Sequence, residues 1–227
     1  MMQNSMIVAV VLLCVATTAC QKKPDPSAVI PPCVSQDAAK PDTAKPAANA
    51  TPAADTPEAR ELAQKQALLD YATMEDNYLN DPKGQWAREA TATTSFGESN
   101  GNVADSNKPK NISGRPDGET WTNDQQDMGF DKIEMVYEKP VHATAVRVVI
   151  RDGVEAISKV ELRDTTGVWS TVWSGISDVK QEANGSRTWF VRSFEATAQA
   201  VQAVRVTIAN NMDRGYKVVD AVQLVGE

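Results

Sequence analysis

From about residue 84 onward, apolar and polar positions alternate with a period of two. Ile133, Met135 and Tyr137 alternate with Glu134 and Val136; Val146, Val148 and Ile150 alternate with Arg147 and Val149. Val160 and Leu162 alternate with Lys159, Glu161 and Arg163, and Val204, Val206 and Ile208 alternate with Arg205 and Thr207. Each run is short and ends at turn-forming residues: Glu138-Lys139-Pro140, Asp152-Gly153, Asp164-Thr165-Thr166-Gly167, Asn184-Gly185 and Asp213-Arg214-Gly215. Many short strands without intervening amphipathic helices predict an antiparallel sandwich or barrel, with the inward half of each strand forming the core.

Upstream the pattern changes to that of a helix. Thr56 is suited to an N-cap, Pro57 to the first helical position, and Glu58 and Glu61 to the positive end of the helix dipole. Leu62, Leu69 and Ala72 share a face, flanked by Leu68, Tyr71 and Tyr78, and Asn80-Asp81-Pro82 is a stop. That face predicts docking on the following domain, with a partner helix as the alternative. Before the helix, residues 20–56 are rich in Pro, Ala, Lys, Asp and Thr. Such a composition cannot bury enough apolar area to offset its ordering entropy, which predicts a disordered spacer. The organisation expected is residues 1–19 as export signal, 20–56 as tether, 57–80 as helix and 81–227 as sandwich.

Residues 6–19 form an uncharged apolar run, too short to span a bilayer as a stable helix but of the length of a signal-peptide core. Its end, Thr17-Thr18-Ala19-Cys20, resembles a bacterial lipobox, in which the cysteine takes the lipid. Thr17 stands where Leu is most common, and the segment before the run carries no Lys or Arg. Plain cleavage at Ala19 and an uncleaved anchor are the other readings. By resemblance to Gram-negative lipoproteins, Gln21 after the cysteine implies the outer membrane, facing the periplasm or the surface.

Composition narrows the chemistry. The 227 residues carry a formal charge of -7, which argues against a nucleic-acid partner, since phosphate binding leans on a basic face. His142 is the single histidine, so multi-imidazole zinc sites are excluded and any His-dependent triad must use it. Cys14, Cys20 and Cys33 form no CxxC pair; once the signal is removed and Cys20 is lipidated, Cys33 is the remaining thiol.

The stretch from Trp86 to Gly226 resembles the discoidin, or coagulation-factor type C, group of galactose-binding-like jelly rolls. Four passages carry the resemblance: Gly118-Glu119-Thr120-Trp121; Asp131 to Val141, a strand ending in a Lys-Pro turn; Val160-Glu161-Leu162 followed by Gly167 to Gly175; and the closing Gly215 to Gly226. The resemblance implies a mostly non-catalytic domain that binds glycans, lipid head groups or proteins through loops at one end. It also implies that a structural calcium, if bound, would be held near Asp105, Asp117 and Gln223. Gln223 stands where glycan-binding members carry a Glu, and a neutral amide is a weaker ligand for a hard cation. No other cofactor is expected.

One enzyme-like motif is present. Gly97-Glu98-Ser99-Asn100-Gly101 fits GxSxG, but its flanks are short and polar, without the strand and helix that a nucleophile elbow needs. Trp169 and Trp173 stand four positions apart, which predicts that both face the core, and Trp121 is placed in the core by the resemblance. Trp189 and Phe190 are neighbours, so one must point outward as a candidate stacking ring. Arg115, Asp213, Arg214 and Tyr216 fall in loops, where Arg214 suits an anionic group and Tyr216 an amphipathic surface. No loop shows the exposed aromatic cluster on which a sugar ring would stack. The expectation is a non-catalytic, lipid-anchored envelope protein that binds a glycan or an envelope protein. The alternative is an assembly protein docking through helix and sheet.

Overall fold

The computed structural model describes residues 56–182 and 187–227. The expected signal, the Cys20 anchor, the tether and Cys33 lie outside these residues.

The described strands are β1 (Gly84–Trp86), β2 (Glu89–Ala92), β3 (Trp121–Thr122), β4 (Phe130–Val141), β5 (Ala143–Asp152), β6 (Ile157–Asp164), β7 (Trp169–Ser174), β8 (Thr188–Ser193), β9 (Val201–Ala209) and β10 (Val218–Gly226). They form two antiparallel sheets. One has the order β1-β10-β5-β8, with β3 also paired to β10; the other has the order β2-β4-β9-β6-β7. The fold is therefore the expected β-sandwich. The inward residues read from alternation fill the space between the sheets: Ile133, Met135 and Tyr137 from β4 face Val146, Val148 and Ile150 from β5 within one buried cluster. Burying each such side chain contributes about 1.5–3 kcal/mol. Trp121 is fully buried, as expected, and its Nε1 donates to the Thr94 carbonyl at 2.8 Å.

The two tryptophans of β7 do not share a side. Val160 pairs with Trp173 but Glu161 pairs with Thr171, so Val172 is an extra residue in β7. Such a bulge reverses the alternation beyond it. Trp173 packs inward, its ring 5.1 Å from Phe190, whereas Trp169 lies outside, under the guanidinium groups of Arg205 (3.8 Å) and Arg163 (5.3 Å).

Helix α1 (Pro57–Leu79) begins and ends where the sequence predicts, with Thr56 Oγ1 accepting from the Ala59 N–H at 3.2 Å. Its docking face differs from expectation. Leu62, Leu68 and Leu69 are exposed, while Tyr71, Met74, Tyr78 and Leu79 pack with Trp86, Val149, Trp189 and Ala221 on the outer face of the first sheet. The helix is about 34 Å long, and only its C-terminal part lies over that sheet. The Tyr71 hydroxyl donates to the Arg187 carbonyl, and burial followed by the Glu75 and Glu182 carboxylates pushes its pKa up to about 12. Arg147 stacks over the Tyr78 ring at 4.2 Å and pairs with Asp81 at 2.8 Å.

Candidate functional site

The strand registers gather five connections at one end of the sandwich. Phe130 pairs with Ala209, Ile157 with Ile208, and Val218 with both Asp152 and Thr122. The segments following Ala92, Thr122, Asp152, Ser174 and Ala209 therefore emerge together.

Polar groups, of which Asp131 is buried, hold these loops in place. The Asp131 carboxylate accepts from the Thr93 and Thr94 hydroxyls at 2.8 and 2.7 Å and from Asn210 Nδ2 at 2.8 Å. Asp124 accepts from the Gly97 and Ser99 N–H groups at 3.0 and 3.2 Å. Desolvation raises the Asp124 pKa, but hydrogen bonds from Ser99, Gly97 and Gln125 outweigh it and hold the carboxyl below the usual range. The Gly215 N–H donates to Asp127 at 3.1 Å.

Over this scaffold large apolar side chains are exposed among polar ones. Phe96, Met128, Phe130, Ile176 and Met212 are all exposed at this end, and Phe130 is 66% exposed. Phe96 meets Tyr216 edge to face, with ring centroids 4.9 Å apart at 89°. An aromatic set is thus present at the loop end, although no single loop carries it. Asp213 and Tyr216 are half-buried and Arg214 is exposed on the same connection, where Arg214 makes no ion pair among the described residues. Three of the predicted ligand residues therefore fall together. Neither Phe96 nor Phe130 is legible as a site residue from the sequence, because Tyr216 meets Phe96 from 120 residues away and Ala209 pairs with Phe130 from 79 residues away.

The remaining candidates lie elsewhere. Arg115 is exposed on a segment tied to other parts of the sandwich: Gly114 N–H donates to the Ala87 carbonyl at 2.8 Å, and Arg187 Nη2 donates to the Pro116 carbonyl at 3.4 Å. Trp189 does point out of the sandwich, but α1 covers it. It is 6% exposed, its ring lies 5.2 Å from Tyr78, and its Nε1 donates to Glu75 at 3.4 Å. Trp189 is therefore a helix-docking residue, unavailable for stacking a ligand.

Of the residues named for calcium, Gln223 is buried with both ends of its amide engaged. It donates to the Tyr78 carbonyl at 2.9 Å and accepts from Arg147 at 2.8 Å. Asp105 pairs with Lys108 at 2.6 Å, and Lys108 holds its carboxyl below the usual range; Asp117 accepts from the Glu119 N–H at 2.9 Å. Among the described residues, no group of three or more His, Cys, Asp and Glu side chains is placed to hold a metal ion.

Two rival sites are weaker. Ser99 lies in a one-turn 3-10 segment at the loop end, whereas His142 lies beyond Val141 at the far end of β4, a strand of twelve residues. The two cannot meet as nucleophile and base, which need hydrogen-bond contact. A cavity of about 160 Å³ at the far end is lined by Lys83, His142, Thr144, Ala196, Gly226 and Glu227. It is small beside ligand pockets of about 300–1,000 Å³. Its polar groups are already paired: Lys83 with Glu227, and His142 Nδ1 with the Thr197 carbonyl at 2.7 Å.

No family model matches the sequence, and no curated protein matches it. Among solved structures, the chain is similar to the module CpGH89CBM32-5 from Clostridium perfringens, in complex with GalNAc-β-1,3-galactose. That match has 13% identity and a TM-score of 0.46, and covers 63% of this chain and 100% of the module. A second is CBM32-3 from a family 31 glycoside hydrolase of Clostridium perfringens, at 17% identity and TM-score 0.47, covering 67% of this chain and 97% of that one. A third is chitosan-binding module 1 from a chitosanase/glucanase of Paenibacillus sp. IK-5, at 12% identity and TM-score 0.46, covering 62% and 96%.

Proposed function

We propose that this chain is a non-catalytic binding protein whose sandwich recognises a glycan through its loop end, held at the cell envelope by a lipid on Cys20. The observation that carries the reading is the pair of exposed Phe96 and half-buried Tyr216, with Phe130 at the same end and Asp213 and Arg214 on the loop that supplies Tyr216. A sugar ring presents an apolar C–H face and a rim of hydroxyls. An aromatic surface with a polar edge complements both, and a carboxylate beside a guanidinium supplies an acceptor and a fork of donors. The anchor rests on the run ending at Cys20 and on the spacer composition of residues 20–56, which would set the domain away from an outer-membrane surface.

The test is a glycan array followed by calorimetry on the full chain. Phe96→Ala and Tyr216→Ala should each weaken binding about tenfold or more, equivalent to about 1.4 kcal/mol. Fatty-acid labelling of the expressed chain should vanish in Cys20→Ser. Exposed Met128 and Met212 favour a second reading, an envelope-protein surface, because methionine adapts to protein partners. A stable stoichiometric protein complex with no glycan affinity would replace the first reading with the second.

A further inference from the structure

Lys217, the residue immediately before β10, is fully buried at the loop end. Its Nζ donates to three backbone carbonyls from two connections: Gln126 at 2.7 Å, Asp213 at 3.0 Å, and Gly215. An ammonium has three N–H donors and no acceptor, so donors and oxygens match in number. A neutral amine would turn its lone pair toward one of those oxygens. Burial pushes the Lys217 pKa below the ordinary lysine value, and the carboxylates of Asp213, Asp127, Asp152 and Asp131 pull it back up.

The rest of the side chain is equally constrained. Its aliphatic stem crosses Gly153, where an added Cβ would come within 2.3 Å of Lys217 Cδ. Its backbone N–H donates to Asn123 Oδ1 at 2.7 Å, and Asn123 Nδ2 in turn donates to the Gln125 carbonyl at 2.6 Å. Residues 123–126, Gly153 and 213–217 thus converge on one side chain. Asp131 ties residues 93, 94 and 210 by accepting; Lys217 ties 126, 213 and 215 by donating.

We propose that these three carbonyls form a cation site whose permanent occupant is the chain's own Lys217 ammonium, and that this charge positions Asp213, Arg214 and Tyr216. Lys217 is a positioning residue: it acts through the loop and does not touch a ligand. The inference rests on the loop-end reading only for what the loop is used for. The cradle itself is tested separately.

In the wild-type chain, nitrogen-15 NMR should show a Lys217 ammonium signal whose protons exchange with water far more slowly than those of exposed Lys110 or Lys132. Lys217→Ala should lose at least about tenfold of its amide-exchange protection over 123–127 and 213–217, with the contacts of α1 to β8 unchanged. Millimolar n-propylammonium, which replaces the missing atoms, should restore that protection, whereas n-propanol should not. A Lys217 ammonium that exchanges as fast as Lys110 overturns the proposal, and this measurement needs no variant to fold. Equal rescue by n-propanol overturns it as well, because apolar filling alone would then account for the effect. Loss of glycan binding in Tyr216→Ala with the slow ammonium signal intact separates the two readings.

Discussion

Arg147 offers the sharpest test of how α1 is joined to the sandwich. It stands on the outer face of β5, and one guanidinium serves three partners. Nη1 lies 2.8 Å from Asp81 Oδ2 and 2.8 Å from Gln223 Oε1, and the guanidinium carbon lies 4.2 Å from the Tyr78 ring centre. The pair is largely withdrawn from water, with side chains 12% and 18% exposed. Arg147→Met keeps most of the stem's packing and removes the charge. Breaking a fully buried pair costs about 3–5 kcal/mol because the orphaned partner stays charged and dry. Asp81 can recover part of its hydration at the edge, which places its share nearer 2 kcal/mol. The cation–π contact adds about 0.5–1 kcal/mol. The expected total of about 3 kcal/mol is a large fraction of a domain stability of about 5–15 kcal/mol. Urea unfolding followed by circular dichroism reads the total, and amide exchange over 71–79 shows whether α1 loosens first. A double-mutant cycle with Asp81→Asn should give a coupling of about 1–2 kcal/mol. A loss below about 0.5 kcal/mol, with α1 protection unchanged, would refute the reasoning.

The other predictions concern a tyrosine and a pair of glycines. Because the folded pKa of Tyr71 is raised to about 12, its contribution is fully present below pH 10 and is lost as pH rises from 10 toward 12. Tyr71→Phe should flatten that alkaline fall in thermal unfolding, and should cost about 1 kcal/mol at neutral pH through the lost bond to the Arg187 carbonyl. Gly153 and Gly167 both have positive φ, +83° and +94°, but only Gly153 faces an obstacle, the Lys217 stem. Gly167→Ala should lose about 1–2 kcal/mol from backbone strain and Gly153→Ala at least about 1 kcal/mol more; equal losses in chemical denaturation would remove the steric argument.

Much of the fold was legible because burial writes itself into a strand as strict alternation. Val204, Val206 and Ile208 on β9, or Val160 and Leu162 on β6, need no knowledge of their neighbours to be assigned inward. The start of α1 was legible for a similar reason: the Thr56 cap and Pro57 are local chemistry. What escaped was set by geometry between elements. Leu62, Leu68 and Leu69 are as apolar as Tyr71, Met74 and Tyr78, but only the latter overlie the sheet. Trp189 faces outward as alternation requires, yet α1, more than a hundred residues upstream, covers it. At the candidate site, Asp213, Arg214 and Tyr216 could be read because one loop supplies them. Their partner Phe96 was hidden because the chain returns to it only after crossing both sheets.

The extra residue at Val172 makes chain length, as well as residue identity, a carrier of structure in the β6–β7 hairpin. Losing that single residue would bring the two tryptophans to an odd spacing, and a regular, unbulged strand would then carry Trp173 toward Phe190 and leave Trp169 beneath Arg205. Aligning the two rings as equivalent members of a repeated pair would therefore equate an interior residue with a surface one. In this hairpin the pairing register assigns the faces, and the bulge lets an even spacing behave as an odd one.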